Sequence, residues 1–128
     1  MTQNCAIVTG GGRNIGQAIS LRLQEDGYRV FALDIVAPEA ESLRADAVNL
    51  DDFDRLMHLN LRTSIVCAQS LVPEMRKHGG GRIVFNTSRV TKGKLERTLY
   101  SATKGAAQAM ARTWALELGK DGITVNCV

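Results

Sequence analysis

A phenol and an ammonium stand four residues apart in the stretch YSATK, which contains Tyr100 and Lys104. On a helix, residues four apart share one face, with their Cβ atoms about 5 to 6 Å apart. An ammonium at that distance favours the ionised phenol, so the pair could exchange a proton near neutral pH. An isolated pair of this kind would more simply be a core tyrosine and a surface lysine. Acid–base chemistry is therefore predicted only if other segments support it.

A glycine-rich turn near the N terminus, TGGGRNIG, is the second candidate site. It follows an apolar strand-like run, Cys5 to Val8, and precedes a segment of helical periodicity, Ile15 to Gln24. Glycines there let the backbone approach a pyrophosphate, and the helix N terminus offers unpaired N–H groups. A flexible turn is the alternative, but the position between a strand and a helix favours dinucleotide binding. The candidate cofactor-binding residues are Gly10, Gly12, Arg13, Asn14, Ile15 and Gly16.

An acidic residue, Asp34, ends the second predicted strand, Tyr28 to Leu33. A carboxylate at this place can accept hydrogen bonds from the ribose hydroxyls of an adenosine, and it repels a 2′-phosphate. The sequence therefore favours NAD over NADP, although Arg13 in the glycine turn could reach a phosphate. A solvated strand end is the alternative for Asp34.

Strands and helices alternate along the rest of the chain. We predict a long helix capped by Asp51 or Asp52 and ending near Arg76, and a second helix from Leu99 to Leu118. Alternation of this kind predicts an α/β fold with a Rossmann-like, doubly wound parallel sheet, in a single domain over residues 1–128. The predicted strands after the second are Arg82 to Asn86, Ile123 to Val128 and, more weakly, Leu43 to Leu50.

Composition and charge exclude several classes of protein. No secretory leader and no apolar run of about 20 residues is present, so we expect a cytoplasmic protein without membrane partners. Cys5, Cys67 and Cys127 fit neither a disulfide framework nor a metal pair, and His58 and His78 lack ligand spacing. We therefore expect no metal.

Basic residues concentrate between Arg76 and Lys104, where Glu96 is the one acid. Aromatic residues make up only 5% of the chain and do not alternate with these bases, which argues against nucleic acid as a partner. The segment is either a solvated loop or a surface that attracts an anionic ligand. Four bases precede Tyr100 and hint at an anionic group on a substrate: Arg89, Lys92, Lys94 and Arg97.

Four segments together resemble the short-chain dehydrogenase/reductase family, and in particular its 3-oxoacyl-carrier-protein reductases. TGGGRNIG resembles the family's cofactor loop, and HLNLR resembles its helix asparagine. GRIVFNTS resembles its serine-bearing strand, and YSATKGAAQAMARTWALELGKDGITVN resembles its active-site helix and the strand after it. The resemblance implies an enzyme that transfers hydride between a nicotinamide cofactor and a small ketone or secondary alcohol.

The resemblance also implies a role for each matched residue. Tyr100 would be the general acid or base at the substrate oxygen, and Ser88 would hydrogen-bond to that oxygen. Lys104 would hold the nicotinamide ribose and tune Tyr100, while Asn60 would order a water that relays protons to Lys104. Asp46 joins the candidate cofactor-binding residues, as do Tyr100 and Lys104 themselves. Alone, Ser88 would be a strand end and Asn60 a helix-face amide.

The chain departs from the family pattern in ways that abbreviate the fold. Asn14 stands where the family usually has glycine, a mild change because asparagine tolerates left-handed backbone. RADAVNL runs directly into the Asn60 helix, whereas the family has a helix and a central strand with an Asn-Asn-Ala-Gly-like turn between them. The chain also stops at Val128, before the family's last strand. Without the central strand, the sheet either keeps a gap of about 10 Å or closes up.

Association with copies of itself is expected from the two helices that carry Asn60 and Tyr100. In the family these helices pair about a two-fold axis, so a homodimer or homotetramer is implied. The alternative to an enzyme is an inactive nucleotide-binding or association module derived from one. The apolar residues expected to be in surplus are Ile65, Val66, Ala68, Leu71, Val72, Ala106, Ala109, Met110, Trp114 and Leu118.

Overall fold

Four parallel strands and the helices between them make up the computed structural model, which describes residues 4–9, 11–12, 14–33 and 48–128. A π-helical segment, His58–Arg62, joins the helix Leu50–Met57 to the helix Thr63–Lys77, so that the predicted long helix is continuous but widened at its middle. The alternation of strands and helices is confirmed. The elements are β1 (Cys5–Thr9), α1 (Asn14–Glu25), β2 (Arg29–Leu33), α2 (Leu50–Met57), α3 (Thr63–Lys77), β3 (Gly81–Phe85), α4 (Thr98–Leu118) and β4 (Ile123–Cys127).

The start of α2 differs from the prediction. Asn49 is the N-cap, because its Oδ1 accepts a hydrogen bond from the Asp51 N–H at 2.9 Å. Asp51 and Asp52 instead lie in the first turn, where their charges suit the helix dipole. Leu50 is helical and does not end a strand; residues 43–47 of that candidate strand lie outside the described residues.

The order of strands in the sheet is β2-β1-β3-β4. β1 pairs directly with β3, from Cys5 opposite Gly81 to Thr9 opposite Phe85. The two halves of the sheet therefore close up, and no gap remains where the family pattern places its central strand. Because all strands are parallel, the segments that follow β1 and β3 leave the sheet side by side at its carboxyl edge.

A threonine hydroxyl joins the carboxyl ends of β1 and β3. Thr9 Oγ1 accepts a hydrogen bond from the Asn86 N–H at 3.0 Å and donates one to the Val84 carbonyl at 3.4 Å. We call this contact between β1 and β3 the seam. It satisfies a backbone donor just beyond the last ladder pair, and it fixes the segment after β3 to the end of β1.

Helices α3 and α4 cover one face of the sheet. Phe85 is buried there and meets Trp114 of α4 at 5.4 Å between ring centroids. Met75 of α3 lies so close to Gly81 that a Cβ on that glycine would be 2.5 Å from its sulfur. α1 packs against β1 and β2, which buries the alternate β1 residues Ala6 and Val8. The apolar residues of β1 thus contribute to a core on both faces of the strand.

Part of the expected apolar surplus belongs to this core. Ala68, Val72 and Leu118 are buried, whereas Ile65 and Val66 of α3 are 39% and 50% exposed. The outward apolar surface is therefore narrower than the sequence pattern suggested. Within the described ranges, none of the helices is long and apolar enough to cross a membrane.

Candidate active site

Ser88 and Tyr100 line the same cleft at the carboxyl edge of the sheet, with a volume of about 380 Å³. Ser88 lies three residues beyond β3, and Tyr100 lies in the first turn of α4. The chain between them leaves the sheet and returns to α4, so it forms the rest of the wall. The other lining residues are Arg89, Val90, Lys92, Gly93, Lys94 and Arg97.

The backbone around Ser88 is held by local hydrogen bonds. Ser88 is extended, with φ −155° and ψ 149°, and its Oγ accepts a hydrogen bond from the Val90 N–H at 3.3 Å. It thereby caps a short 3₁₀ turn, Arg89–Lys92. Ser101 of α4 donates from its Oγ to the Val90 carbonyl at 3.2 Å. Because Oγ accepts in this arrangement, the Ser88 hydroxyl proton can be donated to a ligand.

Lys104 lies beside Tyr100, as their spacing on one helix face requires. Its Nζ is 5.6 Å from the centroid of the Tyr100 ring, and it donates a hydrogen bond to the Asn86 carbonyl at 2.8 Å. The same Asn86 gives its N–H to Thr9 across the seam. The active-site helix is therefore connected to β1 through Asn86.

Asn60 is connected to Tyr100 through a residue that the sequence analysis missed. Its Nδ2 donates to Thr103 Oγ1 at 3.0 Å, and Thr103 Oγ1 donates to the Tyr100 carbonyl at 3.0 Å. Thr103 is 1% exposed, and both bonds of its hydroxyl are at least partly buried. The sequence did contain a signal for this contact: Thr103 is a polar residue three positions after Tyr100, and residues at that spacing are neighbours on a helix.

The π-helical segment explains how Asn60 reaches α4. A π turn widens the helix and shifts the side chains that follow it, and such turns are frequent at functional sites. Hydroxyls of the next turn donate hydrogen bonds to backbone carbonyls of the π-helical segment. Thr63 Oγ1 donates to the Leu59 carbonyl at 2.8 Å, and Ser64 Oγ donates to the Asn60 carbonyl at 3.3 Å. The sequence HLNLRTS thus supplies both the widened turn and its hydrogen-bond partners.

The candidate cofactor turn is described in part. Gly12 is exposed, Asn14 begins α1 with φ 46°, and Ile15 is 67% exposed. The left-handed conformation of Asn14 is one that asparagine tolerates, so the residue suits a position at which the family usually has glycine. Gly16 is buried inside α1. Gly10, Arg13, Asp34 and Asp46 lie outside the described residues.

Gly11 is a further residue that the sequence analysis missed. A Cβ at this position would lie 2.8 Å from Ala32 Cβ, Ser20 Oγ and the Val8 carbonyl, so no side chain fits without movement. Ser20 Oγ is buried and lies 3.1 Å from the Gly11 carbonyl and 2.9 Å from the Gly16 carbonyl. The turn is thus pressed against the sheet and α1, while Gly12 and the start of α1 face solvent. This arrangement fits a nucleotide phosphate at the helix N terminus.

None of the described residues that line this cleft is a cysteine. Burial raises the pKa of Cys67 and of Cys127, and for Cys127 nearby Arg112 opposes that effect. Both thiols therefore remain protonated at neutral pH. Among the described residues, no cluster of histidine, cysteine and carboxylate side chains could hold a metal ion.

The comparisons of this chain with known proteins agree on one family. The family model for short chain dehydrogenase matches residues 40–128. D-xylose 1-dehydrogenase of Caulobacter vibrioides is 27% identical over 170 aligned residues, covering 95% of this chain and 68% of the relative. Since this alignment is longer than the 128-residue chain, the relative contains residues that this chain lacks.

Two further matches differ in the nicotinamide cofactor that their names mention. NADPH-dependent aldehyde reductase 2, chloroplastic, of Arabidopsis thaliana is 38% identical over 82 residues, covering 63% of this chain and 30% of the relative. The crystal structure of 3-ketoacyl-(acyl-carrier-protein) reductase from Brucella melitensis complexed with NADH superposes with a TM-score of 0.79 at 18% identity. It covers 97% of this chain and 74% of that one, which shows the shared fold.

Proposed function

We propose that this chain, which belongs to the short-chain dehydrogenase family, uses Tyr100 as the general acid or base of its hydride-transfer reaction. The chain is thus an NAD(P)-dependent oxidoreductase, and a ketone or secondary alcohol is the proposed substrate. One observation carries the residue assignment: Ser88 and Tyr100, from two different segments, line a single cleft, and Lys104 lies beside the phenol.

Two hydroxyl groups act on the substrate oxygen. When bound, the nicotinamide cofactor supplies or accepts the hydride. During reduction the Tyr100 phenol gives its proton to the carbonyl oxygen, and during oxidation the phenolate takes the proton back. The Ser88 hydroxyl donates a hydrogen bond to the same oxygen, which stabilises the negative charge that develops there.

Lys104 and Asn60 position and assist the phenol. An ammonium has three donors, so the bond to the Asn86 carbonyl is compatible with a second bond to a ribose hydroxyl. Its Nζ lies 5.6 Å from the centroid of the Tyr100 ring, so the same side chain can contact the ribose beside the phenol. Asn60 acts through Thr103, whose hydroxyl holds the Tyr100 carbonyl and thereby the first turn of α4. The relay of protons through a water at Asn60 stays a proposal.

The cofactor is assigned to the turn after β1. Gly10, Gly12 and the first residues of α1 would hold its phosphates, because a helix N terminus there offers N–H groups to an anion. NAD is the proposed cofactor, since Asp34 follows β2 and suits a ribose with free hydroxyls. Arg13 and Asp46 complete the proposed cofactor-binding set.

The phenol assignment can be tested against the only other tyrosine of the chain. Tyr100→Phe keeps the ring but removes the proton donor, so turnover of a ketone with NADH should fall at least about a hundredfold. NADH affinity, followed by nicotinamide fluorescence, should change little. Tyr28→Phe is the matched control, because Tyr28 precedes β2 at the opposite edge of the sheet and packs beneath Arg82.

Either outcome of this comparison is informative. Turnover retained by the Tyr100→Phe variant would contradict the assignment. NADH binding without turnover by the unmodified protein would favour the alternative, an inactive nucleotide-binding module.

We further propose that residues 1–128 act as one domain in the cytoplasm and associate as a homodimer or homotetramer. The exposed Ile65 and Val66 of α3 are the surface that supports association. An isologous contact at this helix would also brace the π-helical segment that presents Asn60.

A further inference from the structure

We propose that the segment 89–97, which we call the basic loop, binds an anionic group of the ketone substrate. The inference rests on the proposed function, since it places this group next to the oxygen on which Tyr100 acts. Arg89, Lys92 and Lys94 line the same cleft as Ser88 and Tyr100. A carboxylate or phosphate a few bonds from the carbonyl would meet these side chains once the carbonyl is bound.

Three bases of the basic loop have no acidic partner in the described part of the protein. In that part, no carboxylate pairs with Arg89, Lys92 or Lys94, and all three side chains are exposed. Other surface bases of the chain do have acidic partners, at 2.6 Å, 2.6 Å and 3.3 Å respectively: Arg76 with Asp121, Lys77 with Glu74, and Arg22 with Asp26. The cleft therefore has a positive potential that attracts an anion.

The basic loop is held against α4, unlike a freely solvated loop. Val90 is buried and its carbonyl accepts the Ser101 hydroxyl, so the 3₁₀ turn packs on the helix. Gly93 ends this turn with φ 99°, a left-handed conformation that favours glycine, and directs the chain along the rim of the cleft. Gln108 Nε2 donates to Thr91 Oγ1 at 3.3 Å, which adds a second tie to α4.

The dimensions of the cleft favour a small molecule over a polymer. A volume of about 380 Å³ lies in the usual range for small-ligand sites. Among the described residues, Tyr100 is the one aromatic residue that lines it, and a single ring offers little stacking surface to the bases of a nucleic acid. The cofactor phosphates belong to a different segment, the turn after β1. The shared chemistry of the expected ligands is a ketone that also carries a carboxylate or phosphate.

A matched pair of substrates separates recognition of charge from catalysis. 3-Oxobutanoate and its methyl ester share the same ketone, but only the first carries a carboxylate. In the Lys92→Gln/Lys94→Gln variant, kcat/KM for 3-oxobutanoate should fall roughly tenfold, whereas the ester should be affected less than about twofold. Raising the salt concentration should weaken the reaction of 3-oxobutanoate with the unmodified protein, because screening shortens the reach of these charges to about 10 Å at 0.1 M.

Lys120→Gln is the control, because Lys120 is an exposed base in the turn that follows α4 and does not line the cleft. It should leave both substrates unchanged. Equal effects of the double substitution on acid and ester, or no effect on either, would overturn the inference.

A binding measurement keeps the inference testable if neither ketone is reduced. Calorimetric titration with 3-hydroxybutanoate should then show weaker binding to the double variant than to the unmodified protein. That result would support the anion site while contradicting the proposed function. Equal binding to both proteins would overturn the anion site itself.

Discussion

Replacing Thr9 by valine tests whether β1 and β3 are truly neighbours in solution. Valine keeps the branched shape of the side chain and suits a strand, so the change removes little besides the hydroxyl. The hydroxyl is the acceptor for the Asn86 N–H at 3.0 Å and a weaker donor to Val84 at 3.4 Å. Its loss leaves a partly buried backbone N–H without a partner.

The expected cost follows from that orphaned donor. A buried donor without a partner costs about 1–3 kcal/mol, and partial exposure at the seam places Thr9→Val in the lower half, about 1–2 kcal/mol. With a urea m-value of about 2 kcal/mol/M, the middle of the range for a small domain, the midpoint of unfolding should fall by roughly 0.5–1 M. Hydrogen exchange at the Asn86 amide should become faster.

Thr124→Val is the matched control for this measurement. Thr124 lies on β4 and is exposed, and its hydroxyl has no hydrogen bond within the described residues. We expect a change in the free energy of unfolding within about 0.5 kcal/mol. If Thr9→Val is no more destabilising than Thr124→Val, the hydroxyl does not join the two strands and the seam is wrong.

Three further predictions use other parts of the chain. In urea unfolding, Gly11→Ala should destabilise the protein by about 1–3 kcal/mol, because the new Cβ would lie 2.8 Å from three atoms. Gly105→Ala is the control: it has open space in α4, so it should stabilise the protein by up to about 1 kcal/mol. NADH should bind more tightly than NADPH in a fluorescence titration, and Asp34→Ala should narrow the difference; tighter NADPH binding by the unmodified protein would contradict the cofactor assignment. Sedimentation at tens of micromolar should show a dimer or larger species that Ile65→Glu/Val66→Glu dissociates, and a monomer before substitution would refute the proposed assembly.

Features that depend on neighbours along the chain could be predicted from the sequence. The four-residue spacing of Tyr100 and Lys104 placed them on one helix face, and glycines after an apolar run marked the turn between β1 and α1. The positive φ of Asn14 agrees with the tolerance of asparagine for that conformation. The cap of α2 was misjudged by two or three residues, because Asn49, Asp51 and Asp52 all have side chains that can accept a helix N–H.

Features that join distant segments required the tertiary structure. The hydrogen bond between Thr9 and Asn86 spans 77 positions of the sequence, and the one between Asn60 and Thr103 spans 43. No local sequence pattern predicts either bond. The sequence showed that a strand of the family pattern was missing, but it left open whether the sheet would keep a gap at that place or bring β1 and β3 together. Closure follows from the cost of unpaired backbone groups: β1 pairs with β2 on one side and β3 pairs with β4, and the N–H and C=O groups on the facing sides of β1 and β3 are satisfied by pairing with each other. That pairing decides where Asn86 lies, and the Asn86 carbonyl in turn holds the Lys104 ammonium beside Tyr100.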